Sequence, residues 1–138
     1  MYLPKQRVSF FLSVAYLLLL ASCGQNKASL LTRTWKINDL KYTQEVPENM
    51  QPTITNWVNE MRQSFTITYN PNGTYYTKLK DQKLEGKWKL NWNSTSITST
   101  AHDGTVKTFH IKELTADKFE FEAEEAGEKV IFVMIPVN

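Results

Sequence analysis

An all-β fold is what this sequence predicts: eight antiparallel strands wound as an up-and-down barrel, with one short helix inserted between the first strand and the second. Three observations carry that reading. Apolar residues recur at every second position through most of residues 34–136, the spacing that puts one set of side chains on one face of a strand. Turn residues interrupt the alternation at short intervals, too short for the crossovers that parallel strands need. One stretch changes period: Ile54, Trp57, Val58 and Met61 fall at i, i+3, i+4 and i+7, a single apolar stripe on a helix.

The first strand is expected over Thr34 to Tyr42, with Trp35, Ile37, Asp39 and Lys41 sharing a face. The helix follows over residues 53–63. Pro52 suits a first-turn position, and Gln51 or Thr53 is placed to start it. Its polar face carries Thr55, Asn59, Glu60 and Arg62. Such a helix either packs against the barrel or acts as a lid over its mouth.

Phe65, Ile67 and Tyr69 then alternate with threonines. Asn70-Pro71-Asn72-Gly73 turns the chain into Thr74–Leu79, with proline at the second turn position and glycine free to take positive φ. After a turn at Asp81-Gln82-Lys83, Leu84, Gly86, Trp88, Leu90 and Trp92 share a face against Glu85, Lys87, Lys89 and Asn91, the cleanest alternation in the chain. Asn93-Ser94 turns into Thr95–Thr100, and His102-Asp103-Gly104 is a hairpin tip before Thr105–Leu114. Thr115-Ala116-Asp117 leads to Phe119–Ala123, and a turn at Glu124–Gly127 precedes the last strand, Val130–Ile135. A meander of this kind closes because an open sheet leaves two unpaired edges. Eight strands make an interior that side chains fill or that holds one small ligand.

With 138 residues the chain holds one globular domain and little more, and its 12% aromatic content excludes disorder for the bulk of it. The remainder is at the front. Lys5 and Arg7 precede Val8–Leu20, a mostly apolar run closed by polar residues. That is the anatomy of a secretory signal, and the run is shorter than the ~20 apolar residues a spanning helix needs. Leu20-Ala21-Ser22-Cys23 resembles a bacterial lipobox. The resemblance implies cleavage between Ser22 and Cys23, a diacylglyceryl group on the Cys23 thiol and an acylated amine. Two or three acyl chains hold firmly where one is marginal. The expected organisation is therefore a signal peptide over residues 1–22, a lipidated cysteine and flexible tether over 23–29, and the barrel over 30–138. Gly24 follows the cysteine and no acid lies within residues 24–29, which favours the outer membrane, facing the periplasm.

Cleavage also changes the charge. The full chain has 16 basic and 14 acidic residues, and losing Lys5 and Arg7 leaves the two signs equal. No polybasic block remains, so nucleic acid is not an expected partner. Cys23 is the single cysteine, so disulfides are excluded.

Catalytic signatures are wanting. His102 and His110 have no metal-ligand spacing with a cysteine or with each other, and His102-Asp103 reads as turn chemistry. Glu120, Glu122, Glu124, Glu125 and Glu128 cluster near the last hairpin, which reads as a solvated charged edge before it reads as a cation site. No glycine-rich phosphate loop occurs. The expectation is no enzyme, no cofactor and no metal.

The order of motifs resembles a lipocalin-like domain family of small bacterial lipoproteins. Leu30–Ile37 is similar to that family's opening motif, with Arg33 where a glycine is typical. Phe65 with Asn72-Gly73-Thr74-Tyr75 is similar to its second hairpin, and Gly86-Lys87-Trp88 to its central Gly-x-Trp strand. Ile111–Thr115 with Phe119-Glu120-Phe121 is similar to its late hairpin. The resemblance implies an up-and-down, lipocalin-like barrel and no particular ligand. Two expectations follow. One is a lipid-anchored barrel holding a small apolar ligand, with Trp35, Phe65, Tyr75, Trp88 and Phe121 as candidate ligand-binding residues. Trp88 is the favoured one, because Gly86 leaves space beside it. The other is a filled barrel that docks an envelope protein through an exposed patch around Trp57 or Tyr76.

Overall fold

The structure, a computed structural model, describes residues 26–125 and 127–138. The signal segment, the Ser22–Cys23 bond and Cys23 itself lie outside the described residues. Eight strands form one closed antiparallel barrel in sequence order. They are β1 (Thr34–Tyr42), β2 (Phe65–Tyr69), β3 (Thr74–Leu79), β4 (Gln82–Leu90), β5 (Ser96–Ala101), β6 (Val106–Leu114), β7 (Phe119–Glu125) and β8 (Glu128–Pro136). Closure is made by β8 on β1, in register from Trp35–Pro136 to Tyr42–Val130.

Three local features depart from the expected pattern. In β1 the register shifts between Ile37 and Asp39. A bulge resets the two-residue period, so Leu40 turns inward and is buried while Lys41 is exposed. Trp92 does not continue the inward face of β4. The strand ends at Leu90, and Trp92 sits in the following turn, 95% exposed. Finally, the segment expected as a tether is partly helical. Lys27–Leu31 form α1, whose first turn is capped by the Asn26 side chain accepting from the Ala28 amide at 3.0 Å. The helix persists because Leu31 is fully buried at the barrel floor.

The inserted helix, α2, spans Gln51–Ser64 and has proline in its first turn, as the sequence predicts. Neither Gln51 nor Thr53 caps it. A short 3-10 turn at Glu48–Met50 runs straight into it, and Met50 stands at the cap position without a side-chain bond. Its stripe faces the barrel: Val58 packs with Leu40 and Val130, and Ile54 and Tyr42 adjoin them. Arg62 ties it down, donating from Nε to the Asn38 carbonyl and lying 3.6 Å from Asp39.

Large side chains concentrate at one end of the barrel. Trp35, Tyr69, Phe119, Leu31, Ile97 and Met134 are each under 2% exposed or nearly so. Trp35 meets Phe119 edge-on at 5.5 Å, and Tyr69 meets Trp88 edge-on at 5.4 Å. This aromatic layer, closed from below by α1, is the floor. The opposite end, where β3–β4, β5–β6 and β7–β8 turn and α2 lies, is the mouth.

Candidate ligand-binding site

The barrel interior is not filled. Above the floor lies a cavity of about 630 Å³ that opens at the mouth, within the ~300–1,000 Å³ of small-molecule sites. Ile37, Ile67, Tyr69 and Met134 form its bottom. Phe65, Phe109, Phe121 and Phe132 form an aromatic wall, in which Phe121 and Phe132 stack at 5.0 Å and Phe109 lies 5.1 Å from Phe121. The other side carries small residues, Thr77, Ser99 and Ala101, and these create the space. Thr53, Ile54, Trp57 and Met61 of α2 line it from above. α2 is thus both packed on the barrel and part of the cavity.

Of the five residues singled out from the sequence, the structure brings Phe65, Tyr75 and Phe121 together on the cavity wall. Trp35 and Trp88 lie in the floor. The Trp35 indole N–H donates to the Leu31 carbonyl at 3.1 Å, and the Trp88 indole N–H donates to the Asn70 carbonyl at 3.1 Å. The space beside Gly86 goes to another residue. Tyr75 is its cross-strand partner, and a Cβ on Gly86 would stand 2.6 Å from the Tyr75 ring. Gly86 therefore seats Tyr75.

Polar groups in the cavity are sparse. Ser99 is 6% exposed, and its hydroxyl has no hydrogen-bond partner among the described residues. It lies on the interior face between Ile97 and Ala101, with Trp88 and Lys107 as cross-strand neighbours. Lys107 and Glu125, on the adjacent strands β6 and β7, pair at 3.7 Å on the rim of the mouth, and both line the cavity. Burial, reinforced by neighbouring Tyr75, raises the Tyr69 phenol pKa far above its ordinary value. Burial and the Asp103 charge raise that of Tyr75. Both phenols are therefore neutral hydrogen-bonding groups. Sequence reasoning missed Ser99 because a serine in a threonine- and serine-rich strand carries no signal until register puts it inside.

The hairpin tip and the acidic strand edge have ordinary local geometry. Asp103 accepts from the Thr105 amide at 2.9 Å in the hairpin tip. Glu120 and Glu122 on β7 are paired with Lys118, Lys41, Lys112 and Lys129. Among the described residues, no group of three or more His, Cys, Asp or Glu side chains is placed to hold a metal ion. Tyr76 is half-buried under Lys83, whose ammonium lies 4.3 Å from the ring centre. Trp57 is 41% exposed at the mouth. Among the described residues, no helix is long and apolar enough to cross a membrane.

The fold has solved counterparts. A DUF4847 family protein from Bacteroides vulgatus superposes with a TM-score of 0.53 at 14% identity, covering 77% of this chain and 93% of its own. A lipocalin-like protein from Bacteroides uniformis superposes with a TM-score of 0.51 at 13% identity, covering 78% and 99%. No protein-family model matches the sequence, and no curated protein matches it. At such identities the likeness shows a shared lipocalin-like barrel and leaves function to the site.

Proposed function

We propose that this protein is a cell-envelope binding protein, tethered by lipid at Cys23, whose barrel takes a small and largely apolar ligand. The observation that carries the binding reading is the mouth-open cavity of about 630 Å³, walled by aromatic and aliphatic side chains. Removing such a surface from water stabilises a complex by ~25 cal/mol per Å². The polar groups available inside are the hydroxyls of a buried serine and of Thr53, Thr77 and Thr105, neutral phenols and one ion pair at the rim. They orient a ligand rather than break its bonds, so the reading is of a carrier or sensor, not an enzyme. The ligand it suits has an apolar body that reaches the floor and one hydrogen-bonding group near Ser99 and Lys107.

The anchoring reading is supported by the sequence order of basic head, apolar run and Leu20-Ala21-Ser22-Cys23. The absence of acid in residues 24–29 supports placement in an outer membrane, facing the periplasm.

Titration of the chain with an environment-sensitive apolar fluorophore tests the first part. Saturable binding is expected, lost in Ala101→Phe, which puts a ring into the cavity. Non-saturable binding, or full retention of binding by Ala101→Phe, would overturn it. For the anchor, Cys23→Ser is expected to abolish incorporation of labelled fatty acid and membrane fractionation. Persistence of both would refute the assignment.

A further inference from the structure

The chain enters the barrel at the end opposite the cavity mouth. Lys27, the first residue of α1, donates from Nζ to the Ser94 carbonyl at 3.0 Å. Ser94 belongs to the β4–β5 turn, and that turn is fixed: the Asn91 carboxamide oxygen accepts from the Thr95 amide at 2.8 Å and the Ser96 amide at 3.1 Å. What the turn presents is Trp92, 95% exposed. An indole is amphipathic and settles at the boundary between headgroups and acyl chains.

Reach decides which surface meets a bilayer. Cys23 stands four positions before Lys27, and an extended chain advances at most ~3.6 Å per residue, so the attachment point lies within about 14 Å of Lys27. A nine-residue strand such as β4, rising ~3.3 Å per residue at a tilt of ~40°, sets the mouth roughly 20 Å or more from the floor. The tether is too short to bring the mouth to the membrane.

Charge agrees with reach. The chain segments around the mouth carry Glu45, Glu48, Asp81, Asp103, Glu124, Glu125 and Glu128 against Lys80, Lys83, Lys107 and Lys129, an acidic balance, while Lys27, Arg33 and Lys89 lie at or near the floor with Lys118, which pairs with Glu113 and Glu120, and with Asp117. Basic groups are drawn to an anionic headgroup layer, and acids are repelled from it.

We propose that the floor is a membrane-docking surface. Trp92 enters the headgroup region beside Lys27, and the cavity mouth faces away from the bilayer, open to the aqueous compartment. This orientation rests on the lipid anchor at Cys23. The ligand would then reach the cavity through water or from a facing membrane, not from the bilayer that holds the anchor.

The test reads anchor and orientation separately. Mass spectrometry of the N-terminal peptide from membrane-extracted protein reports the anchor, and an unacylated Cys23 there defeats the anchoring reading. Orientation is read on the chain starting at Cys23, attached through this single thiol to a maleimide lipid in phosphatidylethanolamine/phosphatidylglycerol vesicles. Brominated acyl chains are expected to quench tryptophan emission. Most of that quenching should be lost in Trp92→Phe and kept in Trp57→Phe. No quenching in the wild type, or quenching kept in Trp92→Phe, or quenching lost in Trp57→Phe, each overturns the proposed orientation. Raising salt should weaken the quenching if the basic floor contributes. Indifference to salt together with loss in Trp92→Phe assigns the docking to the indole alone.

Discussion

Gly86→Ala tests how the cavity wall is built. An ideal Cβ at position 86 would stand 2.6 and 2.8 Å from Cε1 and Cζ of Tyr75 and closer still to the Thr100 carbonyl oxygen. Ordinary carbon contacts lie at ~3.5–4.0 Å. The tyrosine ring is able to swing toward the cavity, but the carbonyl oxygen belongs to the β4–β5 ladder, where Lys87 pairs with Thr100. It moves only if the ladder moves. Overpacking of this kind costs about 1–3 kcal/mol, against a gain of about 0.4–1 kcal/mol from the stiffer unfolded chain. The expected net loss is roughly 1–2 kcal/mol, or a fall in Tm of about 4–10 °C for a domain near this size. Urea unfolding with an unchanged m-value reports the loss as a lower midpoint. In a Tyr75→Ala background Gly86→Ala should cost less than in the wild type, because the ring contact is gone and only the backbone contact stays. Unchanged or raised stability of Gly86→Ala would refute the claim that Gly86 exists to seat Tyr75.

Other consequences are as direct. Ser99→Ala should weaken a long-chain alcohol or acid by about 1 kcal/mol, close to fivefold, and leave an alkane of equal length unaffected; calorimetric titration showing equal losses would remove Ser99 from the site. The Glu120 carboxyl is held below its ordinary pKa chiefly by its hydrogen bond to Lys118. Its stabilising contribution is therefore complete above the unfolded pKa of ~4.3 and is lost as pH falls through the folded value. Lys118→Gln should raise the Glu120 titration midpoint in a carboxyl-detected NMR experiment, and an unmoved midpoint would contradict the pairing. In alkali, Tyr69 should stay protonated after exposed phenols ionise, because its burial disfavours the anion; an absorbance titration in which all phenols ionise together before unfolding would argue against that burial.

How far the sequence discloses the molecule depends on the kind of information asked of it. From β2 onward strand order was legible because hairpin turns this short leave each strand no neighbour but the next. The bounds Thr34–Tyr42 and Phe65–Tyr69 coincide with β1 and β2, since alternation and turn residues mark both ends. The bulge at Asn38 was not legible, because a register shift is chosen by the partner strand β8. It decides which of Asp39 and Leu40 enters the core. Phe65, Tyr75 and Phe121 were legible as inward aromatics and do line the cavity, whereas Trp35 and Trp88 share their pattern and lie in the floor. Period tells inside from outside. Depth along the axis depends on strand stagger, which period does not encode.

Stagger has an energetic consequence. An empty apolar void costs about 24 cal/mol per Å³. A sealed, dry cavity of about 630 Å³ would on that scale cost about 15 kcal/mol, as much as the whole stability of a typical domain. The barrel is viable with this interior because the cavity opens between α2 and the strand ends, so that water or a ligand occupies it. A ligand that replaces water there gains apolar burial which the free barrel leaves unmade. It stabilises the folded state by RT ln(1 + [L]/Kd), about 2.7 kcal/mol at a hundredfold excess over Kd. The free barrel keeps its stability in the floor, where Trp35, Tyr69 and Phe119 are packed. Emptying the floor and crowding the cavity should therefore differ in kind. Phe119→Ala should cost about 3–5 kcal/mol of unfolding free energy, while Ala101→Phe should cost little stability and abolish the ligand-induced rise in Tm. If Ala101→Phe destabilises as much as Phe119→Ala, the upper half is packed core and the division of the barrel into floor and cavity is wrong.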